Sequence, residues 1–515
     1  MLPDPSVARD GSFIGRRAKS RGGGPFSGVL ASVASATLNG AIGRPVSVEV
    51  HVSNGLPGFT IVGLPDAAVR EARDRVRAAI LSSGLPWPMR RITANLAPSG
   101  VRKGGAGLDL PIAVGLLVAA GELTPECTER FAFCGELGLN GSLRHVPGMI
   151  ALAEAATPLG LVVPLCDVRE AALVGGAEVR GAATLADLVA ILRGQARWPV
   201  APAPAPPVDV PVPPDLSDVR GQALGRRAVE VAAAGRHHLL MIGPPGSGKT
   251  MLAERMAGLL PPLTPGESLT VTRIHSAAAC ALPDGALLDS PPFRAPHHQA
   301  SIVSLVGGGS WSLRPGEVSL ATHGVLFLDE LGEFPVPALE ALRQPLEEGV
   351  IRVSRAGGTV TFPAAFLLVA AMNPCPCGEG VYLGACGCTE ASRARYRRRI
   401  SAPLLDRFDL VVPLTRPDPD ELLADVPGEE SASVARRIAA ARAALRDHGG
   451  ERELTSDATA FLASKLRSGA LSARGLHKVT RVARTVAALA GADTVSFAHV
   501  SEALSLRAGR AVVVR

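Results

Sequence analysis

A chain of 515 residues is too long for one ordinary domain and predicts roughly two to four. Hydrophobic residues make up 47% and aromatic residues only 3%, so the cores must be packed largely with aliphatic side chains. A formal charge of +6 over this length does not by itself mark a nucleic-acid binder. No run reaches the roughly 18 apolar residues of a membrane span, and the stretch Ile112–Gly121 is shorter. Arg16 and Arg17 precede Val29–Ala36, but Lys19, Arg21 and three glycines interrupt any export pattern. Eight cysteines in so long a chain then read as reduced thiols or metal ligands of a cytoplasmic protein.

Residues 1–26 are polar, glycine-rich and basic, which predicts a disordered tail. Val46, Val48, Val50 and Val52 alternate with Ser47, Glu49 and His51, the period of a strand. Asp66 can cap a helix on which Val69, Ala72, Val76 and Ile80 recur until Gly84. Strand and helix signals continue to about Leu192, giving an α/β region over 27–197. The segment 198–214 is proline-rich and almost uncharged, so it reads as an extended, solvated linker. A second α/β region spans 215–415. The rest, 416–515, reads as helices over Ser433–His448, Asp457–Leu466, Leu476–Leu489 and Ala498–Leu506.

In that second region, the apolar strand His238–Ile242 leads into Gly243-Pro244-Pro245-Gly246-Ser247-Gly248-Lys249-Thr250, and then into the helical run Met251–Leu260. This is the GxxxxGK[ST] pattern in its strand–loop–helix setting. The glycines let backbone N–H groups turn towards phosphates, and the helix N-terminus adds partial positive charge. Lys249 would reach the β- and γ-phosphates of ATP, and the Thr250 hydroxyl would ligate Mg²⁺. Only five of the 53 basic residues are lysine, which makes Lys249 conspicuous where arginine is the rule. About 80 residues on, the apolar run Gly324–Leu328 ends in Asp329 and Glu330. Asp329 would hold the Mg²⁺, and Glu330 would orient and deprotonate the attacking water. A third apolar strand, Phe366–Ala371, ends in Met372-Asn373-Pro374. Asn373 could bond the γ-phosphate or the water, or serve only as ordinary turn chemistry before proline.

Five further segments extend the pattern. They are Asp218-Val219-Arg220-Gly221-Gln222, Phe293-Arg294-Ala295-Pro296-His297-His298, Arg314-Pro315-Gly316-Glu317, Asn373-Pro374-Cys375-Pro376-Cys377-Gly378 and Leu404-Leu405-Asp406-Arg407-Phe408-Asp409. Together with the phosphate loop they resemble the magnesium-chelatase-like AAA+ ATPases of the YifB/ComM family, over about residues 28–510. The resemblance implies that Asn373 is the sensor-1 residue and that Arg407 is an arginine finger for a neighbouring subunit. It implies that Arg474, in Ser472-Ala473-Arg474, is the sensor-2 arginine. It also implies two inserted hairpins lining the pore of a ring, expected to be hexameric. One lies near Pro296–Ser312, and the other, over Ile351–Phe362, carries Arg352 and Arg355.

Upstream, Arg102–Pro111 and Gly135–Gly141 resemble the Lon-type, S5-like domain of the same family. The dyad positions of Lon proteases fall at about Gly107 and Ile150, neither of which can do nucleophilic chemistry. Ser99 and Lys103 are near but misplaced, so the domain is expected to be a non-catalytic binding module. Cys375, Cys377, Cys386 and Cys388 could hold a structural Zn²⁺ tetrahedrally. Their Cys-x-Cys spacing is tight, however, and a reduced thiol-rich loop is the alternative. His297 and His298 are expected to meet phosphate or solvent rather than a metal.

The resulting expectation is an ATP-hydrolysing ring that moves along DNA, with branch migration of recombination intermediates implied by the resemblance. The alternative is the ATPase subunit of a complex that inserts magnesium into a porphyrin. The Lon-like region and the lack of an Asp-x-Ser-x-Ser motif count against it. The missing dyad counts against a protease.

Overall fold

A computed structural model describes residues 29–100, 103–176, 178–201, 203, 213–309, 313–355, 358–379, 386–423, 427–447 and 452–510. The expected tail and most of the expected linker lie outside these residues, and of Arg355 and Gly358 the backbone alone is described. Among the described residues no helix is long and apolar enough to cross a membrane.

The valine alternation forms what its period predicts. Strands β1 (Val29–Asn39) and β2 (Ile42–Ser53) make a long antiparallel pair with Val46, Val48, Val50 and Val52 buried. They are joined by a tight turn in which Gly40 takes φ +69°. The other strands in this part are β3 (Gly58–Val62), β4 (Arg91–Ala97), β5 (Phe131–Phe133), a small ribbon of β6 (Glu136–Leu137) and β7 (Leu143–Arg144), β8 (Gly160–Pro164) and β9 (Val179–Ala182). The main sheet has the order β3-β4-β2-β1-β5-β8-β9. Asp66 caps the helix Ala67–Ser82, accepting from the Val69 N–H at 2.9 Å, and Val69, Ala72, Val76 and Ile80 face the core. The apolar stretch beginning at Asp109 is a helix, Asp109–Ala119, buried along its whole length. Asp109 holds it in place, taking Arg75 Nε at 2.7 Å and the Leu137 N–H at 3.2 Å.

The second sheet is wholly parallel. Its strands are β10 (Leu239–Ile242), β11 (Phe293–Arg294), β12 (Val325–Leu328), β15 (Leu367–Met372) and β16 (Leu410–Pro413), in the order β11-β12-β15-β10-β16. Between β12 and β15 the chain makes the antiparallel hairpin β13 (Val350–Arg355) and β14 (Gly358–Pro363). The late helices fall close to their expected bounds, at Ser431–Asp447, Ser456–Arg467, Ala473–Leu489 and Phe497–Ser505. They are not a detached layer. Val434, Ile438, Val482 and Val486 share one apolar core with Val229 and Val231 of the helix Ala223–Gly235, and with Leu239 and Met241 of β10.

The two sheets meet through the hairpin. Val360 and Phe362 of β14 are buried with Ala41, Ile274, Ala277 and Leu320, and a Cβ on Gly40 would fall 2.3 Å from Val360. Polar contacts flank this seam: Arg273–Glu154 at 3.0 Å, and the Gly148 N–H on the Ser276 carbonyl at 3.1 Å.

Candidate nucleotide site

In an open parallel sheet, ligands bind at the carboxyl ends of the strands. Here β10 ends into Gly243, β12 into Asp329 and β15 into Asn373, and β10 and β15 are direct neighbours. Gly246 and Gly248 take φ +76° and +78°, the left-handed conformation that glycine adopts freely. The helix Lys249–Met256 starts directly after them. Lys249 is buried, and its ammonium donates to the Gly243 and Pro244 carbonyls at 2.8 and 2.9 Å and to Asn373 Oδ1 at 3.3 Å. Burial holds its pKa below the ordinary lysine value, only partly offset by the charge of Asp329. The Thr250 hydroxyl donates to Asp329 Oδ2 at 2.7 Å. A glycine cradle, a lysine reaching across it and a hydroxyl–carboxylate pair fit ATP with Mg²⁺. Lys249 would hold the phosphates, and Thr250 and Asp329 the ion.

Glu330 has φ +52°, a left-handed conformation that costs a residue with a Cβ roughly 1–2 kcal/mol. Its carboxylate meets His298 Nδ1 at 3.1 Å, and the His298 ring stands edge-on to Phe334. Of the adjacent histidines, His298 thus meets this carboxylate, while His297 is exposed to solvent. The insert that carries them also departs from expectation. Instead of a β-hairpin near Pro296–Ser312, the described residues form a short helix, Ile302–Val306, capped by Ser301 and anchored by the buried Leu305. A single antiparallel bridge, Gly308 with Arg314, closes its base, and residues 310–312 lie outside the description. Alternating side chains, which a hairpin needs, are missing from this segment.

The second hairpin lies close to its expected position. Ile351 is buried, while Arg352 points to the open face and pairs with Glu348.

The arginines lie elsewhere. β16 runs parallel to β10, Leu410 pairing with Leu239, so Arg407 precedes the start of its strand. Arg407 is therefore at the edge of the sheet opposite the phosphate loop, separated by the length of β10, roughly 13 Å at about 3.3 Å per residue. It pairs with Glu347. Arg474 is exposed and meets Asp406 at 3.7 Å, which sets it at the same edge. Sequence reasoning missed what holds this edge: Asp409 is buried, with Lys478 Nζ at 3.2 Å, His237 Nδ1 at 3.8 Å and Arg481 as a further partner. Burial alone would raise its pKa, but the nearby His237 and the charges of Arg481 and Lys478 hold it far below the usual carboxylate range.

Asp409→Ala takes the carboxylate away from the half-buried Lys478 and from the exposed Arg481, and is expected to cost about 1–3 kcal/mol in denaturant unfolding. Because the folded-state pKa is depressed, this contribution is present above the unfolded value of about 3.9 and is lost as pH falls further. Acid-unfolding curves of wild type and variant should converge there.

Of the Lon-type dyad candidates, Lys103 is buried with its ammonium on the Pro98 carbonyl, while Ser99 is exposed. Gly107 and Ile150 are both buried. The four cysteines do converge: Cys375 Sγ lies 3.3 Å from Cys377 Sγ and 3.5 Å from Cys386 Sγ, and all four sulfurs lie within 4.8 Å of one another.

Three family models match the chain. "Magnesium chelatase, subunit ChlI" covers residues 215–422, "Subunit ChlI of Mg-chelatase" covers 48–166, and "Magnesium chelatase, subunit ChlI C-terminal" covers 428–507. The protein YifB of Escherichia coli is 44% identical over 485 residues, 90% of this chain and 94% of that protein. The competence protein ComM of Haemophilus influenzae is 42% identical over 501 residues, 93% of this chain and 97% of that protein. A probable DNA helicase, MCM9 of Arabidopsis thaliana, is 25% identical over 180 residues, 35% of this chain and 23% of that protein.

Proposed function

The chain belongs to the YifB/ComM family of magnesium-chelatase-like AAA+ ATPases, and from that premise we propose that it is a ring-forming motor that hydrolyses ATP to move along DNA. The observation that carries the ring is the position of Arg407, at the opposite sheet edge from its own phosphate loop. From there it is suited to complete the site of an adjacent subunit, with Arg474 beside it. We assign Lys249 to phosphate binding, Thr250 and Asp329 to Mg²⁺, Glu330 to the attacking water and Asn373 to γ-phosphate sensing. Mg²⁺ would supply charge neutralisation across the β- and γ-phosphates. Zn²⁺ on the four thiolates is a second, structural metal in this reading. We divide the chain into a non-catalytic Lon-like module, an ATPase core and a helical lid, in a cytoplasmic hexamer. A cleft lined by Gly104, Gly105 and Asp66 on one side and Arg314 and Thr359 on the other supports a binding role for the first module.

DNA as the track is supported by Arg352 on the open face of the hairpin, between the strand that ends in Asp329 and the one that ends in Asn373. Arg352 and Arg355 are suited to grip a phosphate backbone without reading bases. The competence protein and the probable DNA helicase among the relatives point the same way, towards recombination or DNA uptake.

Alanine at both arginines is expected to weaken DNA binding similarly across sequences. It should flatten the salt dependence by about 0.7–0.9 log units per lost contact, and remove DNA-stimulated turnover while basal turnover persists. The names of the family models favour a second reading, a metal-insertion ATPase. It predicts that neither single-stranded nor branched DNA stimulates the wild-type ATPase at low salt, and that outcome would replace the DNA reading.

A further inference from the structure

Resting on the ATPase and zinc reading above, we propose that the zinc knot of Cys375, Cys377, Cys386 and Cys388 is the fastening that keeps the phosphate loop, Asn373 and the Glu330 turn in one working arrangement. Nucleotide affinity is then under the control of metal occupancy.

The sulfur positions carry the metal. A tetrahedral zinc with Zn–S bonds of about 2.3 Å sets its sulfurs about 3.8 Å apart, and the pairs among Cys375, Cys377 and Cys386 are 3.3, 3.5 and 3.5 Å. A disulfide needs about 2.0 Å, and all eight cysteines are free thiols. Four thiols gathered at this distance are poor partners for one another, and four thiolates would repel. A dication at the centre resolves both. The helix Glu390–Arg397, which starts two residues after Cys388, carries Arg393. Zinc with four thiolates carries a net charge of −2, and the arginine offsets part of it.

The attachments carry the coupling. Cys375 follows Asn373 by two residues at the end of β15. The backbone at Gly378 lies against the phosphate loop, where a Cβ would fall 2.6 Å from Pro245 Cδ. On the far side of the knot, Thr389 caps the helix Glu390–Arg397 directly after Cys388. Near the end of that helix Tyr396 is buried. The same phenol closes over Gly332, where a Cβ would fall 2.6 Å from Tyr396 Cζ, two residues beyond Glu330. One knot and the helix it launches therefore adjoin the loop that holds phosphate, the residue placed to sense it and the turn that holds the catalytic carboxylate.

The test uses full-length protein prepared under reducing conditions, with zinc measured by mass spectrometry and nucleotide affinity by a fluorescent ADP analogue. About one zinc per chain is expected. Stripping it, followed with a zinc-sensitive dye, should weaken ADP binding, and re-adding zinc should restore it. Turnover should fall roughly 10²-fold, the cost of displacing a positioned group by about 1 Å. Gly378→Ala keeps all four cysteines, so it should retain zinc yet bind ADP more weakly. Zinc-free wild-type protein overturns the metal. Zinc-loaded protein whose ADP affinity is unmoved both by stripping and by Gly378→Ala overturns the coupling and leaves the metal standing. Zinc-loaded wild type that neither binds ADP nor hydrolyses ATP sinks the ATPase reading instead.

Discussion

Glu330→Gln is expected to bind ATP as the wild type does and to hydrolyse it roughly 10²–10⁴-fold more slowly, because an amide cannot take the proton of the attacking water. The backbone of Glu330 is held in the left-handed region, and its carboxylate rests on His298, so the substitution changes the proton acceptor while keeping shape and position. Lys249→Ala is expected to fail earlier. The buried ammonium is drawn to two carbonyls of the loop and to Asn373, and its loss removes the only charge aimed at the phosphates from within the cradle among the described residues. Fluorescent ATP binding separates the two variants, and phosphate release measures the first. Turnover by Glu330→Gln equal to that of the wild type would remove Glu330 from the role of base.

Arg407→Ala is expected to bind ATP nearly normally and to lose about 10³–10⁵ in turnover, the scale of an arginine supplied to the transition state from a neighbouring subunit. The defect should be repairable by mixing. A Lys249→Ala subunit cannot bind nucleotide but keeps its Arg407, so rings assembled from both variants contain junctions where an intact arginine faces an intact phosphate loop. Phosphate release from the mixture should exceed the sum of the two separate variants. If it does not, while labelled subunits demonstrably exchange, Arg407 does not act in trans.

The phosphate loop was legible because its parts are contiguous. A short apolar strand, a glycine loop and a helix start follow one another, and local chemistry alone specifies them. The acidic pair was legible for the same reason, as the end of a buried strand. The capped helix after Asp66 and the alternation of β2 needed only neighbours in sequence. What stayed hidden depends on approach in space. Nothing in the spacing of His298 and Glu330, or of Glu347 and Arg407, announces that they meet. Asp409 looked like the close of a motif and proves to be a buried anion shared among cations from a helix some 70 residues further on. The hairpin β13–β14 was anticipated only through the family resemblance. The earlier insert was not readable, since its glycines and prolines suit many loops, and a serine cap turned part of it into a helix.

The seat of the β1–β2 turn on β14 limits how this protein can work as a machine. Phe362 is fully buried against that turn, and Gly40 leaves no space for adjustment. If, in the proposed motor, the nucleotide cycle displaces the hairpin, the seam can either open or travel. Opening it would return the side chains of Phe362, Val360 and Ala41 to water, at roughly 1.5–3 kcal/mol for the phenylalanine alone. Travelling breaks nothing at the seam. In that motor the N-terminal sheet would be coupled as freight to the stroke, together with whatever it carries.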